Sequence, residues 1–289
     1  MSRLEFAGPN AEQIRFWNET RGQTWVARNA MIDAQIAPLG RTAMDRAALA
    51  PGERVLDVGC GCGPTTLELA RRVGPAGEVV GVDLSTTMLD YARAQPRPAG
   101  AGAVRFAEAD AQTHAFTPGA FDVLFSRFGV MFFADPRAAF ANLRTALRPG
   151  GRVAFVCWRT FPENLWMAVP MMAALQHVPP PPIPGPEDPS PFAFADRGRV
   201  TGILEGAGFA DVAFEPIDQD VVIGGGTDVD TAVGFVLEMG PAAALLREAG
   251  PAKTAEVAAA VREALRPYHR GDAGVLMAAA AWIVTARRP

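Results

Sequence analysis

The chain has 289 residues, with 27 lysines and arginines against 31 aspartates and glutamates, a formal net charge of −4. Three histidines and three cysteines are too few for a disulfide scaffold or a multi-histidine metal centre, and the slightly acidic balance argues against the basic face of a dedicated nucleic-acid binder. Apolar residues at 49% and charged residues at 20% are ordinary for a globular chain, and the length suits one large α/β domain or one domain with a lid.

The first residues carry Glu5 and no apolar run, so no leader is expected. The longest charge-free apolar stretch, 273–286, is shorter than the roughly 20 residues of a membrane span. The expectation is a cytoplasmic protein with reduced thiols and no membrane span.

Ile14, Trp17, Trp25, Val26, Met31, Ile32 and Ile36 recur at helical spacing, interrupted at Arg21-Gly22. Pro38-Leu39-Gly40 is read as a break before a short helix from Ala43 to Leu49. From Arg54 short apolar strands alternate with helices. The strands are Val55–Gly59, Glu78–Asp83, Val104–Ala109, Phe121–Ser126 and Arg152–Trp158. The intervening helices are Thr65–Val73, Ser85–Ala94 with Ser85 as N-cap, and Pro136–Leu147. Apolar strands in this alternation predict a parallel sheet with both faces covered.

Ten of the 25 prolines lie between Pro162 and Pro191, which is read as unable to continue a helix or a central strand. Leu165-Trp166-Met167 and Phe192-Ala193-Phe194 are too apolar for a tether, so the segment is expected to fold back over the sheet edge. A helix over Asp196–Ala207 and a strand over Val212–Val222 follow. Gly224-Gly225-Gly226 breaks the pattern before a helical insert, Asp228–Leu265, punctuated at Gly240-Pro241 and Gly250-Pro251. Val275–Ala286 is read as a final edge strand despite its helix-favouring alanines. No internal repeat is visible. The expected division is a helical cap at 1–50, a sheet core at 51–160, a proline-rich excursion at 161–195, and the rest of the sheet at 196–289 carrying the insert 228–267.

The informative segment is Val55-Leu56-Asp57-Val58-Gly59-Cys60-Gly61-Cys62-Gly63-Pro64. A strand runs into a loop with glycine at every second position and then into a helix. Glycine permits a sharp turn and close approach of a ligand to the main chain, and a helix N-terminus offers free N–H groups. A dinucleotide site needs Gly-x-Gly-x-x-Gly, but Pro64 holds the third glycine position and the Asp57 carboxylate would repel a pyrophosphate. Asp83 ends the second strand, where a carboxylate can take both hydroxyls of a ribose. Asp110 follows the third. Three acids on one rim beside a glycine loop describe a nucleoside that carries positive charge.

With Glu108-Ala109-Asp110-Ala111, Phe121-Asp122-Val123-Leu124-Phe125-Ser126 and Leu147-Arg148-Pro149-Gly150-Gly151 in this order, the chain resembles the class I S-adenosylmethionine-dependent methyltransferases. Its likeness is to the small-molecule branch of the ubiquinone/menaquinone-biosynthesis enzymes, and it covers roughly residues 12–160. The resemblance implies a Rossmann-like, seven-stranded, mostly parallel doubly wound sheet with an antiparallel last strand and a helical lid. It implies S-adenosylmethionine as cofactor. Asp57, Gly59, Cys60 and Gly61 would border its methionine part, and Asp83 its ribose. Leu84 and Met88 would flank the adenine, while Asp110 and Ala111 meet its edge. Ser126, through its backbone carbonyl, and Arg127 would line the transfer site, and the helices bearing Trp17 and Trp25 would close over it.

The acceptor is expected to be a small molecule, aromatic or lipid-like, facing Met131, Phe132, Trp158 and Arg159. No metal and no nucleic acid are expected, and association as a homodimer is left open. Non-catalytic regulatory binding of S-adenosylmethionine and, behind it, a dinucleotide-dependent oxidoreductase remain the alternatives. Several bland readings stand beside the sharp ones. Cys60-x-Cys62 lacks the four ligands of a zinc site and reads as small residues in a tight turn. His114 is a base or a surface residue, and Arg127 is a catalytic candidate, a clamp for a substrate carboxylate or half of an ion pair with a rim acid. His177 and His269 read as satisfied polar groups, and Trp17, Trp25 and Trp158 also read as packing residues.

Overall fold

The structure is a computed structural model that describes residues 4–182, 185, 187–240 and 242–289; the side chains of 242, 244, 245 and 247–249 are left aside. Pro241, read above as helix punctuation, lies outside the described residues.

The N-terminal region is a succession of helices. α1 (Ala11–Arg15) passes through a π-helical turn (Phe16–Thr20) into α2 (Gly22–Ala27) and the long α3 (Asn29–Arg46). The break expected at Pro38 is absent: α3 runs through it. Proline removes one helical hydrogen bond, but Ile32, Ile36, Leu39, Ala43 and Met44 form a continuous buried face, and that burial outweighs the lost bond.

The sheet unit follows as β1 (Arg54–Val58), α4 (Pro64–Val73), β2 (Glu78–Asp83), α5 (Thr86–Ala94), β3 (Ala103–Glu108), β4 (Phe121–Arg127), α6 (Pro136–Ala146) and β5 (Leu147–Trp158). Pro64 and Pro136 open their helices, where a missing N–H costs nothing, and the Ser85 hydroxyl caps α5 by accepting from Met88 N–H at 3.3 Å. After β5 come α7 (Leu165–Ala174), α8 (Arg197–Gly206), β6 (Ala210–Val222), α9 (Val229–Met239), α10 (Ala242–Leu265) and β7 (Leu276–Arg287). α10 is interrupted at Gly250, whose φ is 81°.

The seven strands lie in the order β3-β2-β1-β4-β5-β7-β6. β1 to β5 pair in parallel, and β7 is antiparallel to both β5 and β6. This corrects one expectation: β7 is not the edge strand but lies inside the sheet, and β6 is the edge. The burial patterns agree. β7 is buried along most of its length, whereas β6 alternates between half-buried and exposed residues, as an edge strand with one wet face should. Val55 to Val58 are buried in succession, so both faces of β1 are covered.

The proline-rich excursion also departs from its reading, because α7 forms within it around Pro170. Its start is tied to β7 by Asn164, whose buried amide donates to Ala280 O and accepts from Ala280 N–H, both at 3.0 Å. Met167 and Met171 are then buried, and α7 packs against α10 and β7. The N-terminal helices touch the insert as well: the Arg21 guanidinium donates to Glu238 O and Met239 O, at 2.9 and 2.7 Å, at the end of α9. Among the described residues no helix is long and apolar enough to cross a membrane.

Candidate functional site

The carboxyl ends of β1, β2 and β4 converge on the glycine loop. Gly59 has φ 69°, and a Cβ on it would sit 2.9 Å from Gly129 Cα. Any side chain there would push the β4 loop away. Gly61 has φ 54°, and its virtual Cβ meets only Met88 Sδ, at 3.8 Å, so the space above it is open to a ligand. The turn is held by Gly59 N–H and Cys60 N–H, which both donate to Val82 O, at 2.9 and 3.1 Å.

Asp83 fastens the loop to the next helix. Its Oδ2 accepts from Gly61 N–H and its Oδ1 from Ser85 N–H, each at 2.8 Å. Burial raises its carboxyl pKa, and the N–H donors of Ser85, Gly61 and Leu84 oppose that rise.

Asp57 is fully buried. Its Oδ2 accepts from the hydroxyls of Thr65 and Thr66, at 2.7 and 2.6 Å, while Oδ1 has no partner. Burial pushes its pKa up to about 6, against the pull of the two hydroxyls and the Arg127 charge. A buried carboxylate with one bare oxygen is costly unless a donor comes to it.

Asp110 is buried beyond β3, and it is bonded from an unexpected direction. The Asn10 amide donates to both of its oxygens at 3.0 Å, and Gln112 N–H donates to Oδ1 at 2.9 Å. Ala111 and Met88 are buried, and Leu84 is half-buried.

At the end of β4 the Ser126 hydroxyl donates to Val58 O at 2.7 Å and accepts from Gly129 N–H at 3.2 Å, which draws the β4 loop onto β1. Arg127 turns to α3 and donates to Asp33 at 2.8 Å. Phe128 has φ 56°, a region bulky residues avoid, and its ring stacks on Trp158 with centroids 3.9 Å apart. Met131 is buried. Phe132 meets Trp17 edge-on at 5.8 Å, and Trp17 meets Trp25 at 5.4 Å. Trp158 is buried and contacts Trp166 of α7 at 5.2 Å.

Other named residues stand apart. Arg159 pairs with Glu163 and with Asp218 of β6 and lies over the Trp282 ring. His114 is exposed against Phe116. His177 faces Glu256, and His269 Nε2 is 2.8 Å from Thr227 O. All three cysteines are free and buried, and burial pushes the Cys62 thiol up to about 12. Among the described residues no cluster of His, Cys, Asp or Glu could hold a metal ion. A cavity of about 340 Å³ opens at the opposite rim, between Arg46, Glu53, Arg152 and Arg287, and shares no residue with the strand-end acids.

Sequence reasoning missed three contributors: Asn10, Asp33 and the Thr65/Thr66 pair. Only the threonines carried a local signal, because they open the helix that follows the glycine loop. The others reach the site by long-range contacts that no spacing encodes.

The strand order, the glycine loop and the three strand-end acids define a Rossmann-like methyltransferase fold. Residues 55–151 match a methyltransferase domain family, and S-adenosylmethionine is the cofactor of that class. The chain is 36% identical over 118 residues to the aklanonic acid methyltransferase DauC of Streptomyces sp. strain C5, which is 41% of this chain and 54% of that protein. It is 38% identical over 114 residues to the ubiquinone/menaquinone biosynthesis C-methyltransferase UbiE of Idiomarina loihiensis, 39% of this chain and 45% of that one. The match thus spans about half the length of these curated relatives. In fold the chain is similar to a phosphoethanolamine N-methyltransferase 2 of Haemonchus contortus, solved with S-adenosylhomocysteine and phosphomonomethylethanolamine. The TM-score is 0.57 at 19% identity, over 98% of this chain and 60% of that one.

Proposed function

We propose that the protein transfers the methyl group of S-adenosylmethionine to a small apolar acceptor. The observation that carries this reading is the bonding of Asp83. Gly61 N–H and Ser85 N–H each bond one of its oxygens, Leu84 N–H lies beside them, and the acceptor capacity that the carboxylate keeps suits the hydroxyls of a ribose. Asp57 supports the same reading, since its partnerless buried Oδ1 suits the ammonium of a methionine moiety. The open space above Gly61 admits a ligand against the main chain. Met88, Leu84, Ala111 and Asp110 then flank the base, and Ser126 fixes the β4 loop beside the reacting centre.

When bound, the cofactor supplies an electrophilic methyl on a sulfonium. The chain aligns the acceptor with it and excludes water, and alignment alone can supply about 7–11 kcal/mol. Among the described residues no histidine side chain bonds a strand-end acid, and His114 meets Asp110 only through its backbone N–H, at 2.8 Å, so the reading uses no histidine base. Arg127, paired with Asp33, holds the β4 end against α3 rather than acting on the acceptor. In this reading residues 51–160 bind the cofactor. Residues 1–50, 161–195 and 228–267 enclose the acceptor, whose apolar walls are Trp17, Phe132, Met131 and Trp158.

Calorimetry with S-adenosylhomocysteine and with NAD tests it. Micromolar binding of the first and none of the second is expected, and Asp83→Ala should weaken it about 100-fold by removing two hydrogen bonds to a charged group. A wild-type chain that ignores S-adenosylhomocysteine overturns the reading. Transfer of a labelled methyl to a panel of planar apolar acceptors separates catalysis from regulatory binding.

A further inference from the structure

We infer that Asn10 is a positioning residue that leaves Asp110 one open acceptor site, matched to the 6-amino group of the cofactor's purine; this rests on the cofactor reading above. Asn10 occupies the N-cap position of α1, where asparagine ordinarily accepts a helix N–H. Its side chain makes no such bond. It is instead buried, 2% exposed, and turned across 100 residues of sequence onto Asp110. One amide N–H spans both carboxylate oxygens and the other reaches Gln112 Oε1, all at 3.0 Å. The amide oxygen accepts from Ala134 N–H at 2.8 Å. The amide is therefore orientated without ambiguity, with its donor end toward the acid.

The lone pairs can be counted. A carboxylate has about four acceptor positions. Asn10 and Gln112 N–H fill both on Oδ1, and Asn10 fills one on Oδ2. A single position remains on Oδ2, for one donor. An adenine brings an N–H there. A 6-oxo purine brings an oxygen, which the carboxylate repels. Without Asn10 the acid has three open positions and freedom to rotate, so it also binds water and loses its selectivity.

The segment bearing Asn10 is seated at further points on the same rim. Leu4 N–H donates to Glu108 at 2.6 Å, the Asn18 amide bonds Leu84 O and Thr86 N–H at 3.0 Å, and the Ser85 hydroxyl donates to Trp17 O at 2.9 Å. These contacts hold the segment in place when the Asn10 side chain is changed.

Calorimetry on the full chain with S-adenosylhomocysteine and its 6-oxo analogue, S-inosylhomocysteine, tests the inference. Wild type should prefer the first. Asn10→Ala should weaken the first by about tenfold and the second by less, so the preference narrows. Asn10→Asp has the same shape, sets a second carboxylate against Asp110, and should lose more. It also serves if the alanine variant folds poorly. Variants that bind both ligands within twofold of wild type, or lose both equally, overturn the role of Asn10. A wild-type chain that binds neither refutes the cofactor reading itself, which is a distinguishable result.

Discussion

Phe128 lies flat on Trp158, with ring centroids 3.9 Å apart and planes 14° apart. The stack accompanies a backbone that phenylalanine does not choose freely, with φ at 56°, a conformation that costs about 1–2 kcal/mol in an L-residue. The ring contact offsets that cost and keeps the following Gly129 against Gly59. A double-mutant cycle of Phe128→Leu and Trp158→Leu, read by urea denaturation, should give a coupling energy of about 0.5–1.5 kcal/mol. Independent, additive effects would mean that the stack does not hold the turn.

The strand ends were legible because the signal there is local. Asp57, Asp83 and Asp110 each follow a short apolar run, and a parallel sheet brings such ends to one rim. Ser85 as a cap was legible for the same reason. Three features were not. Pro38 lies inside α3 because the buried Ile32–Met44 face carries more energy than one lost hydrogen bond, and only tertiary packing reveals that. β7 lies between β5 and β6 although it comes last, since strand order depends on pairing across the chain. Asn10 belongs to no motif in the sequence, and its partner is 100 residues away.

Arg152 holds the end of α3 to the sheet. It donates to Ala47 O and Ala48 O, at 2.6 and 2.8 Å, and to Glu53 at 2.7 Å. Arg152→Met strands the Glu53 charge and both carbonyls and should cost about 3 kcal/mol. Burial raises the Glu53 pKa, but the hydrogen bonds from Arg152 and Ala50 N–H outweigh it, and the carboxyl titrates below its ordinary 4.5. The folded state therefore binds fewer protons than the unfolded chain. That stability is present above about pH 4.5 and is lost as pH falls through the lower folded value. Glu53→Gln should lower stability at pH 7 and flatten the acid limb of a stability–pH curve. An unchanged acid limb would show that Glu53 does not shape it.

Gly59 cannot become alanine cheaply. Its φ of 69° and the 2.9 Å approach of Gly129 Cα to a Cβ predict a loss of about 1–3 kcal/mol for Gly59→Ala. Binding of S-adenosylhomocysteine should fall further than stability does, because the loop and the β4 turn move apart together. Thermal melts and calorimetry on the same variant check this, and full affinity in Gly59→Ala would remove the Gly59–Gly129 contact from the site.

Asp57 should make the ligand-free protein more stable in mild acid. Its folded pKa is about 6 against an ordinary 3.8, so the folded state binds the extra proton between those values. Stability is then highest below about pH 4 on this group's account and falls as pH rises through 6. Asp57→Asn abolishes that fall and should stabilise the free protein at pH 7 by about 2 kcal/mol. Ligand reverses the preference. If an ammonium meets the bare Oδ1, the ionised carboxylate is the binding form, and below pH 6 the ligand must expel a proton. Affinity for S-adenosylhomocysteine should therefore be about tenfold weaker at pH 5 than at pH 7. In Asp57→Asn it should be weak and independent of pH over that range. A wild-type affinity that does not change between pH 5 and 7 would place the ammonium away from Asp57.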